Sequence, residues 1–195
     1  QKAGYTLVDD ASCADVAIVN TCGFIEAAKK ESIGEILELG RLKKAGCIKA
    51  LVVTGCMAER YQQEIRKELP EADAVCGIGA DADIVEVVDR TLRGEHPELF
   101  PDKMLLPLCG ERIQSTPPYS SYLKIAEGCD KHCTYCIIPK VRGNYRSVPM
   151  ERLIKEAQEL ADQGVKELIL VAQETTVYGQ DIYGEKSLHK LLKEL

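Results

Sequence analysis

No apolar run in these 195 residues approaches the roughly 20 that a membrane-spanning helix needs, which excludes a helical membrane span. The N-terminus lacks the basic start, short apolar stretch and small residues of a secretory signal, so the expected setting is cytoplasmic and thiol-reducing. Positive charge is in short supply as well: 25 Lys and Arg face 31 Asp and Glu, a formal net charge of -6, which argues against a general nucleic-acid binder. The deficit lies in residues 1–95, with 12 basic and 17 acidic side chains, whereas residues 119–195 balance at 11 and 11. At 45% hydrophobic and 29% charged residues, the composition is otherwise that of a globular protein with room for a sizeable core. Cysteine is not scarce: there are nine. In a reducing compartment, clustered cysteines serve as metal ligands or reactive thiols more often than as disulfides.

Residues 4–95 alternate short apolar runs with helical patterns. GYTLV, VAIVN (Val16 to Asn20), ALVVT (Ala50 to Thr54) and a weaker DAV (Asp73 to Val75) read as strands, being short, rich in Val and Ile and bounded by Gly, Asp or Asn. Phe24 to Leu42 and Ala58 to Leu69 read as helices, the first with an apolar stripe of Ile25, Ala28, Ile33, Ile36 and Leu37. Strand runs without alternation, separated by helices, predict a parallel sheet covered on both faces. Residues 96–118 hold five of the eight prolines and no sustained period, and read as a linker. Beyond it come a strand in SYLKIAE, a helix N-cap at Ser147, and apolar positions Leu153, Ile154, Ala157, Leu160 and Ala161 at helical spacing. A buried strand KELILVA follows, then a polar loop QETTVYGQDIYGE and a helix from about Ser187. The pattern stops at Leu195 after two strands and about two helices of a second domain, the expectation being a fragment. The expected domains are thus 1–95 and 119–195.

Directly after SYLKIAE stands GCDKHCTYC, with Cys129, Cys133 and Cys136 spaced CxxxCxxC. Three thiolates on one loop can ligate three corners of a cuboidal iron-sulfur cluster, whereas the four-cysteine ferredoxin pattern closes all four irons. The fourth iron would stay open to chelate a ligand's amino and carboxylate groups. A zinc site completed by His132 or a distant cysteine is the plainer alternative. Against it, His132 adjoins Cys133 too closely for both to reach one metal comfortably, and no second CxxC pair follows.

Two more cysteines end predicted strands: VAIVN runs into TCGF and ALVVT into GCM, which puts Cys22 and Cys56 at carboxyl ends of parallel strands, just before helices. Such ends share one edge of the sheet, the edge where ligands bind. Helix N-termini also favour thiolate over thiol. Cys76, after DAV, could occupy the same edge, so spacing alone nominates Cys22, Cys56 and Cys76 together.

The three-cysteine loop resembles that of the radical S-adenosylmethionine (SAM) superfamily, in which CxxxCxxC holds a 4Fe-4S cluster whose open iron binds SAM. Tyr135 matches a position that commonly lies near the SAM adenine, a loop-packing role being the alternative. VNTCGF and VTGCM, with YLKIAEGC, CTYCIIP and RG downstream, further resemble the methylthiotransferase branch of that superfamily. The resemblance implies a flavodoxin-like N-terminal domain followed by the start of a partial TIM barrel, an α/β architecture truncated at both ends. It also implies a second 4Fe-4S cluster on three cysteines of the N-terminal domain. Cys22 and Cys56 match two of these, and the first would precede Gln1. Cys13, Cys47, Cys76 and Cys109 match no ligand position and read as structural or incidental.

Within the branch, AQETTVYGQD (Ala172 to Asp181) is similar to the QDT-x-x-YG segment of enzymes that modify an aspartate of ribosomal protein S12, with Glu174 where Asp is usual. The enzymes that modify adenosine in tRNA carry a GQNV-like segment there. The implied activity is therefore methylthio transfer to the aspartate β-carbon of S12, in the ribosome, with an electron donor and no direct nucleic-acid substrate. One SAM would supply the methyl group; reductive cleavage of another would yield the 5'-deoxyadenosyl radical that takes the substrate hydrogen. Gln173 and Glu174 are expected SAM contacts, with ordinary loop hydrogen bonding as their alternative. The alternative functions are tRNA methylthiotransferase and a non-catalytic zinc-binding domain. Residues 129–146 carry Lys131, Lys140, Arg142 and Arg146 against Asp130, a local basic excess open to three readings: an RNA contact, a contact with the SAM carboxylate or the ribosome, or a plain solvated loop.

Overall fold

A computed structural model describes residues 3–105, 108 and 116–195, grouped in two compact units, Gln1–Leu106 and Pro107–Leu195. Cys109 and part of the proline-rich stretch around it, residues 106, 107 and 109–115, lie outside the described residues.

In the first unit, strand β1 (Val16–Thr21) leads to helix α1 (Glu26–Lys44), β2 (Ala50–Gly55), α2 (Cys56–Glu68) and β3 (Ala74–Cys76). Helix α3 (Ile84–Leu92) and the short β4 (Glu98–Leu99) follow. The four strands form one parallel sheet in the order β1-β2-β3-β4, as the unalternating runs predicted. Every residue of β2 is buried, because this strand is central and covered on both faces. On one face Leu51, Val53 and Val75 pack with Ile36 of α1 and Ile65 of α2; on the other Val52, Ala74 and Cys76 pack with Val87 and Val88 of α3.

Four expectations are corrected in this unit. Gly4 to Val8 form no strand; Leu7 and Val8 are exposed, and no described strand pairs with the segment. The apolar stripe of α1 is rotated: Ile36 is fully buried, but Ile25, Ile33 and Leu37 are exposed, and the inward face is Ser32, Ile36 and Gly40. Close approach decides this, since a Cβ on Gly40 would stand 2.4 Å from Glu71 Cγ. The stretch read as linker supplies β4, which pairs Val75 with Glu98 and Cys76 with Leu99. Helix α2 starts earlier than expected, at Cys56, and is broken at Gln62 with φ 33° and ψ -105°.

The second unit is built on β5 (Ser120–Lys124), whose parallel partner β8 (Glu167–Val171) aligns Leu123 with Leu170. Between them run β6 (Ala126–Glu127), α4 (Ile138–Arg142), β7 (Arg146–Ser147) and α5 (Met150–Asp162); α6 (Gln180–Tyr183) and α7 (Leu188–Glu194) come after. Strand β5, helix and parallel β8 make a βαβ unit, the repeating piece of a barrel. Leu123, Ile125, Leu153, Ala157, Tyr178 and Leu191 form its core. Full burial of side chains such as Leu123 and Leu153 stabilises by about 1.5–3 kcal/mol each. Ser147 does not cap α5, whose N-cap is Pro149; it lies in β7 and is bound instead by Asp181.

Candidate functional site

At the carboxyl end of β5 the chain narrows into a neck. Strands β6 and β7 pair antiparallel, Ala126 with Ser147 and Glu127 with Arg146, and everything from Gly128 to Tyr145 is the loop this neck closes. Just above the pair, Cys129 donates its backbone N–H to the Gly143 carbonyl at 3.2 Å, and Tyr145 donates its own to Asp130 Oδ1 at 3.0 Å. Gly128 sits where only glycine fits: its φ is +79°, and a Cβ would lie 2.2 Å from the Asn144 carbonyl oxygen.

Glu127 anchors the neck. Its side chain is buried, faces Lys124 Nζ at 3.1 Å and an Arg142 guanidinium nitrogen at 3.4 Å, and accepts from the Gly128 N–H at 3.3 Å. A buried carboxylate is costly unless paired and hydrogen-bonded, and here two cations and a backbone donor meet it. Helix α4, which follows the last cysteine, is thereby tied back to the residue before Gly128.

Within this frame Cys129 is buried, Cys136 half-buried and Cys133 exposed. The backbone N–H of Cys136 donates to the Cys133 carbonyl at 2.9 Å, folding the CxxC end into a turn, and His132 before it takes a positive φ of 46°. Non-glycine residues in that region are uncommon and gather at functional loops. Among the described residues, no three His, Cys, Asp or Glu side chains converge as ligands of one ion would. A cuboidal cluster asks for less convergence, because each thiolate binds a separate iron, and an all-thiolate donor set on a closed loop suits it. Tyr135 is 90% exposed, so its ring is not used in packing the loop.

The loop after β8 closes on the cysteine loop. Gln173 Oε1 accepts the Gly128 N–H at 2.9 Å, and Glu174 pairs with Lys131 while accepting the Thr176 N–H at 2.9 Å. The Lys131 ammonium, then the Thr176 hydroxyl and amide, hold the Glu174 carboxyl down to about 2. Beside them Asp130, Lys131, Tyr145, Val177, Gln180 and Asp181 line a cavity of about 320 Å³. Asp181 fixes its floor, accepting from the Ser147 N–H at 2.7 Å and hydroxyl at 2.6 Å.

In the first unit, register brings Cys22 and Cys56 together. Thr21 pairs with Gly55 across β1 and β2, so the next residue on each strand is a cysteine. Gly23 rests on the Cys56–Met57 peptide so closely that a Cβ would lie 2.8 Å from the Cys56 carbonyl oxygen. Thr21 stitches the two ends, its hydroxyl donating to the Thr54 carbonyl at 2.5 Å and accepting from the Ala58 N–H at 3.3 Å. Ser32 of α1 accepts the Cys22 N–H at 3.2 Å, and Arg60 donates to the Gly23 carbonyl at 3.0 Å. Cys76 departs from the pair: its side chain sinks into the core under α3, and burial pushes its thiol up to about 11. Cys13 and Cys47 are exposed. The spacing did not reveal Glu127, Arg142, Ser147 or Asp181 as members of the site; the basic excess of residues 129–146 was the one hint, and it is absorbed in part by Glu127 and Glu174.

Comparison with known proteins agrees with this division. A model of the uncharacterized protein family UPF0004 matches residues 1–77, and that of the radical SAM superfamily matches residues 123–194. The ribosomal protein uS12 methylthiotransferase RimO of Lachnoclostridium phytofermentans is 56% identical over 193 residues, covering 98% of this chain and 44% of the relative. Proteins with the same description from Thermoanaerobacter sp. and Clostridioides difficile are each 50% identical, over 100% and 98% of this chain and 45% and 44% of their own lengths. The chain thus spans less than half the length of the curated relatives it matches.

Proposed function

The chain belongs to the radical SAM methylthiotransferase family, and from that premise we propose that the whole protein adds a methylthio group to the β-carbon of an aspartate in ribosomal protein uS12. The observation that carries the reading is the joining of the two loops at the carboxyl ends of β5 and β8, through Gly128 to Gln173 and Lys131 to Glu174. In a parallel α/β barrel that end is where chemistry is placed. The likeness of AQETTVYGQD to the pattern of uS12-modifying enzymes, with Glu174 where Asp is usual, and the match to relatives so described over nearly the whole chain support this substrate.

Cys129, Cys133 and Cys136 would hold one 4Fe-4S cluster, and Cys22 and Cys56 two corners of a second. When bound, the first supplies one electron and an open coordination position to SAM. The protein's own contribution is placement. Gln173 spends its carbonyl oxygen on Gly128, which would leave its amide N–H groups for a ligand carboxylate, and Glu174 would have lone pairs beyond those given to Lys131 and Thr176 for a ligand ammonium. Tyr135, its ring exposed, would be available to stack on the adenine. The reaction proceeds in the cytoplasm, with uS12 presented by the ribosome and the electron delivered by a separate reductant.

The test is turnover by the full-length protein after anaerobic reconstitution with iron and sulfide. Methylthiolated uS12 peptide or ribosome is expected, with no modified adenosine in tRNA. Product only with tRNA would overturn the substrate, and bound zinc with no iron would overturn the radical chemistry in favour of a zinc-stabilised interaction domain.

A further inference from the structure

Lys131 stands two residues from both Cys129 and Cys133. Its side chain is half exposed, yet it does not sweep freely, because Glu174 pairs with it across the gap between the two loops. Glu174 is itself confined: its side chain is only 13% exposed, and Thr176 holds it through both amide and hydroxyl. The ammonium is thus parked beside the cysteine loop by a partner on a different strand.

A fixed positive charge at that place acts on an electron. Uptake of one electron by a cluster on Cys129, Cys133 and Cys136 adds one negative charge, with no bond made or broken and no proton moved. A neighbouring cation favours the reduced form over the oxidised one, and cluster potentials respond to local charge in this sense. Arg142, another cation of the loop, is engaged by the buried Glu127, which offsets its charge. Glu174 opposes Lys131 as well, but Lys131 belongs to the cysteine loop itself, whereas Glu174 reaches it from the loop after β8, so loss of the lysine would leave that carboxylate unbalanced beside the cysteines.

We propose that Lys131, held in place by Glu174, sets the reduction potential of the cluster bound by Cys129, Cys133 and Cys136, making it easier to reduce. This rests on the assignment of those cysteines as cluster ligands. Lys131 is a positioning and tuning residue in this account, since its charge acts through the cluster and not on the substrate.

The experiment is an anaerobic redox titration of the full-length protein carrying Cys22→Ala and Cys56→Ala, so that only the cluster on Cys129, Cys133 and Cys136 contributes. Dithionite with low-potential mediators supplies the electron, and the electron paramagnetic resonance signal of the reduced cluster reports the midpoint. Lys131→Arg is expected to titrate with the unsubstituted protein. Lys131→Met and Lys131→Gln should shift to more negative potential by a similar amount, and Lys131→Glu further still. An unchanged or more positive midpoint in the two neutral variants would overturn the proposal. Loss of iron in both neutral variants, with iron retained in Lys131→Arg, would overturn it too, by showing that the lysine serves assembly. Absence of any cluster before Lys131 is touched would count against the ligand assignment instead.

Discussion

The backbone N–H of Gly128 points at the side-chain oxygen of Gln173, 2.9 Å away on the loop after the neighbouring strand, while a second acceptor, Glu127 Oε1, stands at 3.3 Å. One donor therefore couples the start of the cysteine loop to the loop that follows β8. Replacement of Gln173 by Ala should cost about 0.5–1.5 kcal/mol of stability in the cluster-free protein, the worth of one ordinary hydrogen bond. It should also lower the iron retained by Cys129, Cys133 and Cys136, measured by iron and sulfide analysis after reconstitution.

Gly128→Ala is expected to be far more damaging, because the new methyl meets the Asn144 carbonyl at 2.2 Å and the φ of +79° is strained for alanine. Gly164→Ala provides the control: its φ is +96°, but nothing lies within 4 Å of the added carbon, so only the backbone cost of about 1–2 kcal/mol applies. Thermal unfolding and iron content of the two variants should separate widely; equal effects would show that the crowding at Gly128 relaxes at no cost.

Gly23→Ala should act on the other pair of cysteines. The added carbon would press on the Cys56 carbonyl at 2.8 Å and part Cys22 from Cys56. Iron held by the first unit is expected to fall, with the spectrum of the Cys129, Cys133 and Cys136 cluster unchanged.

Cys76 should resist alkylation at pH 8 while Cys13 and Cys47 react, since burial holds its thiol near 11 against an ordinary 9.0. Its folded-state value is raised, so the stability it contributes is complete below about 9 and fades as pH rises through about 11. Mass spectrometry of iodoacetamide-treated protein reads the first claim. A pH series of unfolding midpoints for Cys76→Ala beside the unsubstituted protein reads the second.

Tyr178→Phe removes the hydroxyl that donates to the Val148 carbonyl at 2.8 Å in the core of the second unit. A loss of about 1–3 kcal/mol follows if the carbonyl is left without a substitute partner, and a denaturant midpoint lower than that of the unsubstituted protein checks it.

Central β2 was legible because ALVVT is a continuous apolar run, the mark of a strand covered on both sides; VAIVN reads alike, although β1 lies at the sheet's edge and leaves Ile18 exposed. GYTLV carries the same mark without a described neighbour, and a strand exists only by pairing. The inward face of α1 escaped the periodicity of large side chains because Ser32 and Gly40, two small residues, are what let the helix approach. In the site, cysteine spacing marked the thiols and strand ends marked their location. The residues that hold the loop shut could not be read the same way: Glu127 meets Arg142 across 15 positions and Ser147 meets Asp181 across 34, and neither pairing leaves a local pattern.

The neck of β6 and β7 has a bearing on damage and repair. Its ladder, the Glu127 ion pairs and the Asp181 clasp involve no cysteine, so the strands beneath the loop owe nothing to iron. Oxidation that strips the metal should leave the empty loop standing on an intact base, and refilling it becomes a matter of chemistry at three thiols with no refolding step.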